Sequence, residues 1–542
     1  MFGHMSLRKK LIILFLLVGI IPMAIALNLG FKSSSKSIKE QTFAQLVSIR
    51  ESKKSEIENY FKTIENQVIT LSENGMVVDA MGNFKRAFHN IEKELVVKGS
   101  DLERYKESVS GYYTGQFGRV FSEKSVESVN ASALVPDEAS SLILQYHYIS
   151  NNENPLGSKD ALTKAKDGST YSKLHSEYHP VFRSYLHRFG FYDIFLVDPS
   201  SGHIVYSVFK ELDYSTNIKD GQYSASGIGE AFKRAVASRS NGSAHLTPFK
   251  PYVPSYTAPA SFISSPIYEG GEMTGVLIFQ MPIDVINGIM TSNHRWREVG
   301  LGDSGETYLV DSNNKIINNS RFLIDDKPGY LAALRDANVD TRTLEAIEKL
   351  NTSIGLQGVS SESAMRALSG STGVHIIPDY RNVPVLSAYA PLSMLGLNWA
   401  LLAEIDEEEA FRPLQTIKKV TALMVVVIGA IVIIVGVVVA SRSTKPIARL
   451  QEAMKNMGET GNLTFKVDVT SNDEIGQMGR AFNVMVDRFN AVVRDIYSSA
   501  DHMASGSEEL STSAVQIASG TELQTEKTEY VATASQEMSA TI

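Results

Sequence analysis

The sequence predicts an α+β outer domain on a long helix, held in a membrane by two helices, with an all-α region after the second. Three observations carry this reading. Residues 11–29 and 420–440 are uncharged apolar runs, each near the 20 residues a helix needs to cross a hydrocarbon core. The long stretch between them mixes helical and strand periodicities. Beyond 440, apolar residues recur at heptad spacing to the end of the chain. The formal net charge of −8 argues against a nucleic-acid partner. The absence of cysteine excludes disulfides, cysteine metal sites and thiol chemistry.

Arg8, Lys9 and Lys10 precede the first run, and Arg442 and Lys445 follow the second. The positive-inside bias therefore places residues 1–10 and the region from 441 in the cytoplasm and 30–419 outside, although Lys418 and Lys419 work against it. Ala24-Ile25-Ala26 supplies an A-x-A pattern, the mark of a cleaved signal peptide. An uncleaved anchor is preferred because helical pattern continues from it. Met1 and Met5 both stand as candidate starts. Residues 32–72 place Phe43, Leu46, Val47, Ile57, Phe61, Ile64, Val68 and Leu71 at helical spacing without an interior Pro or Gly, which predicts one long amphipathic helix. Helical pattern continues, broken, to about residue 150.

Strand patterns follow. Residues 192–198 and 203–209 flank the turn Pro199-Ser200-Ser201-Gly202, and residues 260–266 and 274–281 flank Gly270-Gly271. A helix over 179–189 precedes them. The theme recurs: 306–311, a turn at Ser312-Asn313-Asn314, a return strand Lys315-Ile316-Ile317, then 383–391 and 399–405 about Gly396. Phe195-Leu196-Val197-Asp198 parallels Tyr308-Leu309-Val310-Asp311, which points to duplication.

After 440, Pro446 suits the first turn of a helix with Ile447, Leu450, Met454 and Met457 on one face. Gly458 to Gly461 break it, and residues 463–467 read as an extended connector. Asp473-Glu474-Ile475-Gly476 opens a second helix with Met478, Phe482, Met485 and Phe489 inward. From Phe489 the series Ile496, Met503, Leu510, Ile517, Gln524, Val531, Met538 interleaves with Val493, Ala500, Ser507, Ala514, Thr521, Thr528, Ser535, Ile542, a heptad seam. Glu508-Glu509, Glu522, Glu529 and Gln536-Glu537 share one heptad phase outside it.

Two strand-turn-strand modules on one long helix resemble a double Cache sensor, the tandem PAS-like unit of bacterial transmembrane receptors. The resemblance implies a periplasmic sensor over 30–419, with a membrane-distal module at about 75–285 and a membrane-proximal one at about 286–411. Helix, connector and helix with Asp-Glu-Ile-Gly at 473–476 and Ala-Phe-Asn-Val-Met at 481–485 resemble a HAMP domain, at 441–495. Small residues around Gln536-Glu537 resemble the methylation consensus of methyl-accepting chemotaxis proteins, with 496–542 as the start of a truncated signalling coiled coil. Together these imply a homodimeric chemoreceptor of the bacterial inner membrane, not an enzyme. Its partners would be a small-molecule ligand, a methyltransferase and methylesterase and, through a hairpin tip beyond residue 542, the chemotaxis kinase and its coupling protein.

In that family the distal module usually holds the ligand. Cations for carboxylate, carboxylates for amine and aromatic walls are the groups such a pocket needs. The candidates are Arg183, Tyr185, Arg188, Asp193, Asp198, Tyr206, Tyr256, Phe262 and Ser264. Arg183-Ser184-Tyr185 stands where the amino-acid-binding branch has Arg-x-Trp, which puts amino-acid recognition in doubt. The methylation candidates are Gln536, Glu537, Glu529 and Glu522. For Asp198, followed by Pro199, turn initiation is the plainer role. No motif for catalysis, metal or cofactor is found. The alternative, a sensor histidine kinase or nucleotide cyclase with the same input, would need a phosphoacceptor histidine or a cyclase domain. His502, the one candidate, lacks the acidic residue expected after it.

Overall fold

The chain opens on a single helix, α1 (Leu7–Ser72), that carries both the first apolar run and the predicted amphipathic stretch. The computed structural model describes residues 5–238 and 240–540; Thr541 and the seam residue Ile542 lie outside the described residues. The described chain forms two compact units, Lys32–Thr416 and the remainder.

Within the first unit, the buried stripe of α1 is Leu46, Arg50, Lys53, Ile57, Phe61, Ile64, Val68 and Ser72, spaced three or four apart so that one helix face is covered throughout. Helices α2 (Gly75–Glu94), α3 (Gly99–Tyr112), α4 (Gly118–Lys124), α5 (Ala139–Gln145) and α6 (Thr170–Phe189) follow. Ser169 caps α6 by accepting from Ser172 N–H, and Gly190 ends it in a left-handed conformation. Next come β1 (Asp193–Val197), β2 (Ile204–Ser207), α7 (Gly227–Ala237), β3 (His245–Leu246), β4 (Lys250–Pro251), β5 (Pro259–Glu269) and β6 (Glu272–Met281). They form an antiparallel sheet in the order β2-β1-β6-β5-β3, with β4 beside β5.

The second module consists of α8 (Ile283–Met290), β7 (Glu306–Val310), α9 (Arg321–Asp325), α10 (Lys327–Asp336), α11 (Thr341–Leu350), α12 (Glu362–Leu368), β8 (Gly373–Pro378), β9 (Pro384–Met394) and β10 (Leu397–Asp406). Its sheet runs β7-β10-β9-β8, so β1-β6-β5 and β7-β10-β9 repeat one arrangement. Asp198 and Asp311 end their strands alike: each accepts the backbone N–H two residues on, from Ser200 and Asn313, a turn closed by the side chain itself. The expected return strand at Lys315-Ile316-Ile317 does not form. Ile317 N–H donates to Leu309 O and Asp311 N–H to Lys315 O, while Ile316 N–H donates to Gln357 O and Ile316 O accepts from Gly355 N–H, so the segment makes single bridges to β7 and to the 353–359 loop in place of a strand. Strand β8 went unread in the sequence.

Helix α1 serves both modules. Phe61 packs edge-on against Trp399 of β10, centroids 5.6 Å apart; the Ser72 and Ser265 hydroxyls meet at 2.9 Å; and Arg50 Nη1 donates to Tyr389 O at 3.1 Å.

In the other unit, α1 and α14 (Arg412–Thr460), which follows the short α13 (Glu407–Ala410), are each long and apolar enough to cross a membrane. They approach closely where one side lacks a side chain. A Cβ on Gly19 would meet Val432 at 3.1 Å, and one on Gly436 would meet Phe15 Cβ at 3.4 Å; such small-residue contacts are how membrane helices pack. Helix α14 passes through Ser443 and Pro446 without a break, where a fresh start was expected. It ends at Gly461, φ +65°. Asp473 caps α15 (Glu474–Ser539) by accepting from Gly476 N–H. The connector returns across both helices: Asn483 clamps Val467 through its N–H and C=O, and Leu450, Ala453, Val467, Phe482 and Val486 form a small core. Met454, Met478, Met485 and Phe489, expected inward, stay exposed in the single chain.

Phe61→Ala is expected to destabilise the protein by about 3–5 kcal/mol, read from urea unfolding by tryptophan fluorescence; a loss under about 1 kcal/mol would contradict the shared packing. The chain has no native thiol, so a Phe15→Cys/Gly436→Cys pair gives a clean second test. The near approach of those Cβ positions suits a disulfide, and mild oxidation should close it within one chain.

Candidate site in the distal module

Strand alternation divides the first sheet into two faces. Register places Asp193 beside Gln280 and Gln280 beside Phe262, with Phe195, Ile278 and Ser264 on the same face. Helix α7 covers part of it: Ser264 Oγ donates to Ala231 O at 2.8 Å, and Gly227 lets the helix approach, since a Cβ there would meet the Phe262 ring at 3.0 Å. Segments 208–218 and 252–258 close the rest. The opposite face, with Ile194, Leu196 and Tyr206, lies under the helices.

Between those segments and α3 runs a narrow cleft lined by Tyr112, Phe117, Lys159, Lys210, Glu211 and Tyr256, with room in this conformation for about one water molecule, ≈10 Å³. Its surroundings are unusually rich in buried charge. The Glu211 carboxylate accepts from Tyr192 Oη at 2.8 Å and Ser255 Oγ at 3.2 Å; burial, then the neighbouring Asp213 and Asp193, push it well above the usual carboxylate range. Asp213 accepts from Tyr252 Oη at 2.5 Å, and burial pushes it up to about 6. Asp193 Oδ1 receives the N–H groups of Ile194, Val208 and Phe209, while Oδ2 has no partner among the described residues; burial raises this group too. The Lys210 ammonium donates to Ser207 O and Val208 O and stands 5.5–5.8 Å from the ring centroids of Tyr148, Tyr206 and Tyr214, a cation held by ring faces. Burial pulls it down to about 7. Lys210, Ser215, Tyr256 and Thr257 all adopt left-handed backbone, φ 58° to 64°. Such strain costs energy at each residue and gathers where a binding site holds its walls in place.

The sequence candidates do not converge. Tyr256 lines the cleft. Asp193 ties down the segment beside it, and Phe262 and Ser264 are buried under α7 on the same sheet face. Tyr206 is on the opposite face, at 2.7 Å from His179 Nδ1. Since His179 Nε2 contacts the carbonyl of Asp160 at 2.7 Å, which only accepts, Nδ1 is the acceptor for Tyr206. Arg183 Nε donates to the Asp160 carboxylate at 2.8 Å. Tyr185 packs on Phe189, Phe191 and Phe279, and Arg188 donates to Ser184 on the surface. Asp198 sits at the strand end, bound by Lys85 at 2.7 Å and His89 at 3.1 Å; burial favours its neutral form, but Lys85, Ser201 and His89 outweigh that and hold it well below the usual range. Tyr112, Lys159, Lys210 and Glu211 were not singled out. The signal for two of them was the charged pair Lys210-Glu211 directly after the apolar Val208-Phe209 that continues β2. Glu522, Glu529, Gln536 and Glu537 are exposed on α15.

Residues 32–414 match the Cache domain family, and residues 438–491 match the HAMP domain. The chain belongs to the Cache domain family. Curated relatives include methyl-accepting chemotaxis protein McpA of Bacillus subtilis, 34% identical over 119 residues that make up 22% of this chain and 17% of that protein. Methyl-accepting chemotaxis protein PctB of Pseudomonas aeruginosa is 24% identical over 242 residues, 44% of this chain and 32% of that protein. The chain thus spans about a third or less of the length of these two relatives. Solved structures that resemble it include the ligand-binding domain of Campylobacter jejuni chemoreceptor Tlp3 with L-norvaline, at 12% identity, 69% of this chain, 94% of that one and TM-score 0.30. Another is the Pseudomonas aeruginosa PctC domain with GABA, at 12% identity, 57% of this chain, 97% of that one and TM-score 0.26.

On acidification the α6 histidines should subtract from the stability of the distal module, while the raised carboxyl groups of Asp193, Glu211 and Asp213 take up protons in the fold and add to it. Burial lowers His179 to about 2 and His175 well below the ordinary 6.5, so both stay neutral in the fold while the unfolded chain takes up protons. Their contribution is complete above pH 6.5 and is lost as pH falls below it, by about 1.4 kcal/mol per pH unit per histidine. Hydrogen exchange of α6 peptides, corrected for intrinsic rate, should shift further toward faster exchange on acidification in the native chain than in His179→Asn, the carboxyl groups being common to both.

Proposed function

We propose that this chain is the input and relay portion of a bacterial transmembrane chemoreceptor: a sensor outside the inner membrane binds a small molecule, and two membrane helices pass the event to a HAMP domain and a methylatable coiled coil. The observation that carries this reading is the order of parts. A Cache match is followed in the same chain by a HAMP match, and one helix, α14, contains both the second apolar span and the first helix of the HAMP region. The curated relatives, all methyl-accepting chemotaxis proteins in name, support it, as does the positive charge flanking both spans.

The ligand site in this reading is the distal cleft. Its aromatic walls and its lysine and carboxyl groups suit a small polar organic molecule carrying charge. With so little space in this conformation, a ligand enters only as the strained Tyr256–Thr257 segment withdraws, which gives bound and free states different wall positions. Differential affinity for two such states is all that signalling requires. The exposed apolar residues of the HAMP region are to be covered by a second copy in a parallel dimer. Methylation at Glu537, Glu529 and Glu522, and at Gln536 once its amide is hydrolysed to a carboxylate, removes negative charge from an acidic helix surface, which eases repulsion. The chemotaxis kinase, its coupling protein, the methyltransferase and the methylesterase are the proposed partners; the chain itself performs no catalysis.

A test is to titrate the full chain, in lipid nanodiscs, with a panel of small metabolites by calorimetry. For any ligand found, Tyr256→Ala should weaken binding about tenfold or more, ~1.4 kcal/mol, whereas Arg183→Ala, already committed to Asp160, should change it little. The reverse pattern would move the site to the helical face. Incubation with methyl donor and methyltransferase should label the 522–537 region; label confined elsewhere would refute the assignment.

A further inference from the structure

The proximal module fills the space between its sheet and helices with its own ionisable groups. Strand alternation turns Glu306, Tyr308 and Val310 of β7, and Ala400, Leu402 and Glu404 of β10, toward α9–α12, where most of them form one core. Glu306 and Glu404 stand directly opposite each other in the antiparallel register, and both are almost completely buried, 3% and 2% exposed. Two carboxylates cannot share such a place as anions unless cations or donors answer both.

The donors answer one better than the other. Glu306 Oε1 accepts from Tyr380 Oη at 2.5 Å, and Oε2 from Ser320 Oγ at 3.2 Å and Arg321 N–H at 3.0 Å. Glu404 Oε2 accepts from Tyr308 Oη at 2.7 Å; Oε1 has no partner among the described residues. Asp379 adds a third buried acid, and Tyr330 packs close by. The nearest cation, Arg381, is committed elsewhere: Nε to Asp379 and Nη2 to Asp406, each at 2.6 Å, with its guanidinium 3.5 Å from the Phe322 ring centroid. Arg321 directs its guanidinium to Gly305 O, Gly302 O and Asp325. Ser387 is the residue opposite Glu404 on β9, and its hydroxyl can donate to Glu404, which partly offsets the effect of burial.

We infer that Glu306 and Glu404 form a proton-binding pair, through which the proximal module senses external pH as a second input beside the distal ligand. The exchange is simple: the neutral carboxyl releases one proton to bulk water and leaves a carboxylate facing its partner across β7 and β10. Glu404 lies two residues before the end of β10, which leads through α13 into α14. Its charge state therefore acts on the strand from which the chain departs for the membrane; that relay role, unlike the proton binding, rests on the chemoreceptor reading.

Burial raises both groups, Glu306 to about 7 with Arg381 and Tyr380 opposing, and Glu404 to about 8 with Asp379 adding to it. The pair is thus neutral in acid, and its contribution to stability falls as pH rises from the ordinary carboxylate value toward these two. The experiment is an infrared titration of the full chain in nanodiscs. The absorbance of protonated carboxyl groups should fall as pH rises through 7 and 8, and Glu306→Gln and Glu404→Gln should each remove part of that change. Tyr308→Phe, which keeps both acids, should move the Glu404 midpoint upward because the carboxylate loses a donor. Tryptophan fluorescence, which includes Trp399 of β10, should follow the same titration in the native chain and lose it in Glu404→Gln. An infrared change identical in both glutamine variants and the native chain overturns the proton site. A fluorescence titration that survives Glu404→Gln overturns its role as an input. Neither measurement uses the distal ligand or any signalling partner, so failure here is separable from failure of the chemoreceptor reading.

Discussion

The Cache domain depends on one helix face. The stripe from Leu46 to Ser72 on α1 is the common wall for two sheets. Phe61 reaches the second sheet through Trp399 and Ser72 the first through Ser265. Neither sheet could bury its inner face alone, because a sheet with one solvated apolar face is unstable until another layer covers it. With α1 as that layer, the modules share a core in which side chains from both meet. A cavity opened on α1 is therefore felt in both.

On their other faces the two modules solve the problem of buried charge differently. The distal module keeps a lysine among tyrosine rings and three acids near a narrow cleft, with the strain of four left-handed residues around it. In the proximal module the buried Arg381 is spent on Asp379 and Asp406, and the donors to the carboxyl pair are the hydroxyls of Tyr308, Tyr380 and Ser320 with the Arg321 N–H. Uncompensated charge in a water-poor interior is costly enough that the group changes protonation instead. In the proposed reading, the same fold used twice offers one site for a charged organic molecule and one for the smallest ligand, a hydrogen ion.

Helix α14 is continuous from Arg412 to Thr460. Pro446 lies inside the helix and removes one backbone donor, yet the helix passes through it. Beyond it, the Asn483 clamp on Val467 fixes the connector to α15 by a polar contact while Leu450, Ala453, Phe482 and Val486 supply the apolar one. So few buried residues make a thin core, the expected state of half a bundle.

The sequence by itself determined the linear order: two apolar spans, a long amphipathic helix, two strand-turn-strand modules, a helix-connector-helix and a heptad seam. These follow from periodicity, charge flanks and turn residues, which are local. It also revealed the duplication, because the repeated aromatic-Leu-Val-Asp endings serve the same side-chain-closed turn. Tertiary structure alone decided where charged side chains meet. Arg183 looked available for a ligand until folding brought Asp160, 23 residues earlier, against it. Lys210 and Glu211 passed for ordinary polar residues until segments distant in the chain closed over them. Glu306 and Glu404 are 98 positions apart and become neighbours only through strand register. Burial and pairing depend on contacts between residues far apart in sequence, and no local pattern encodes which of them will face each other in the absence of water.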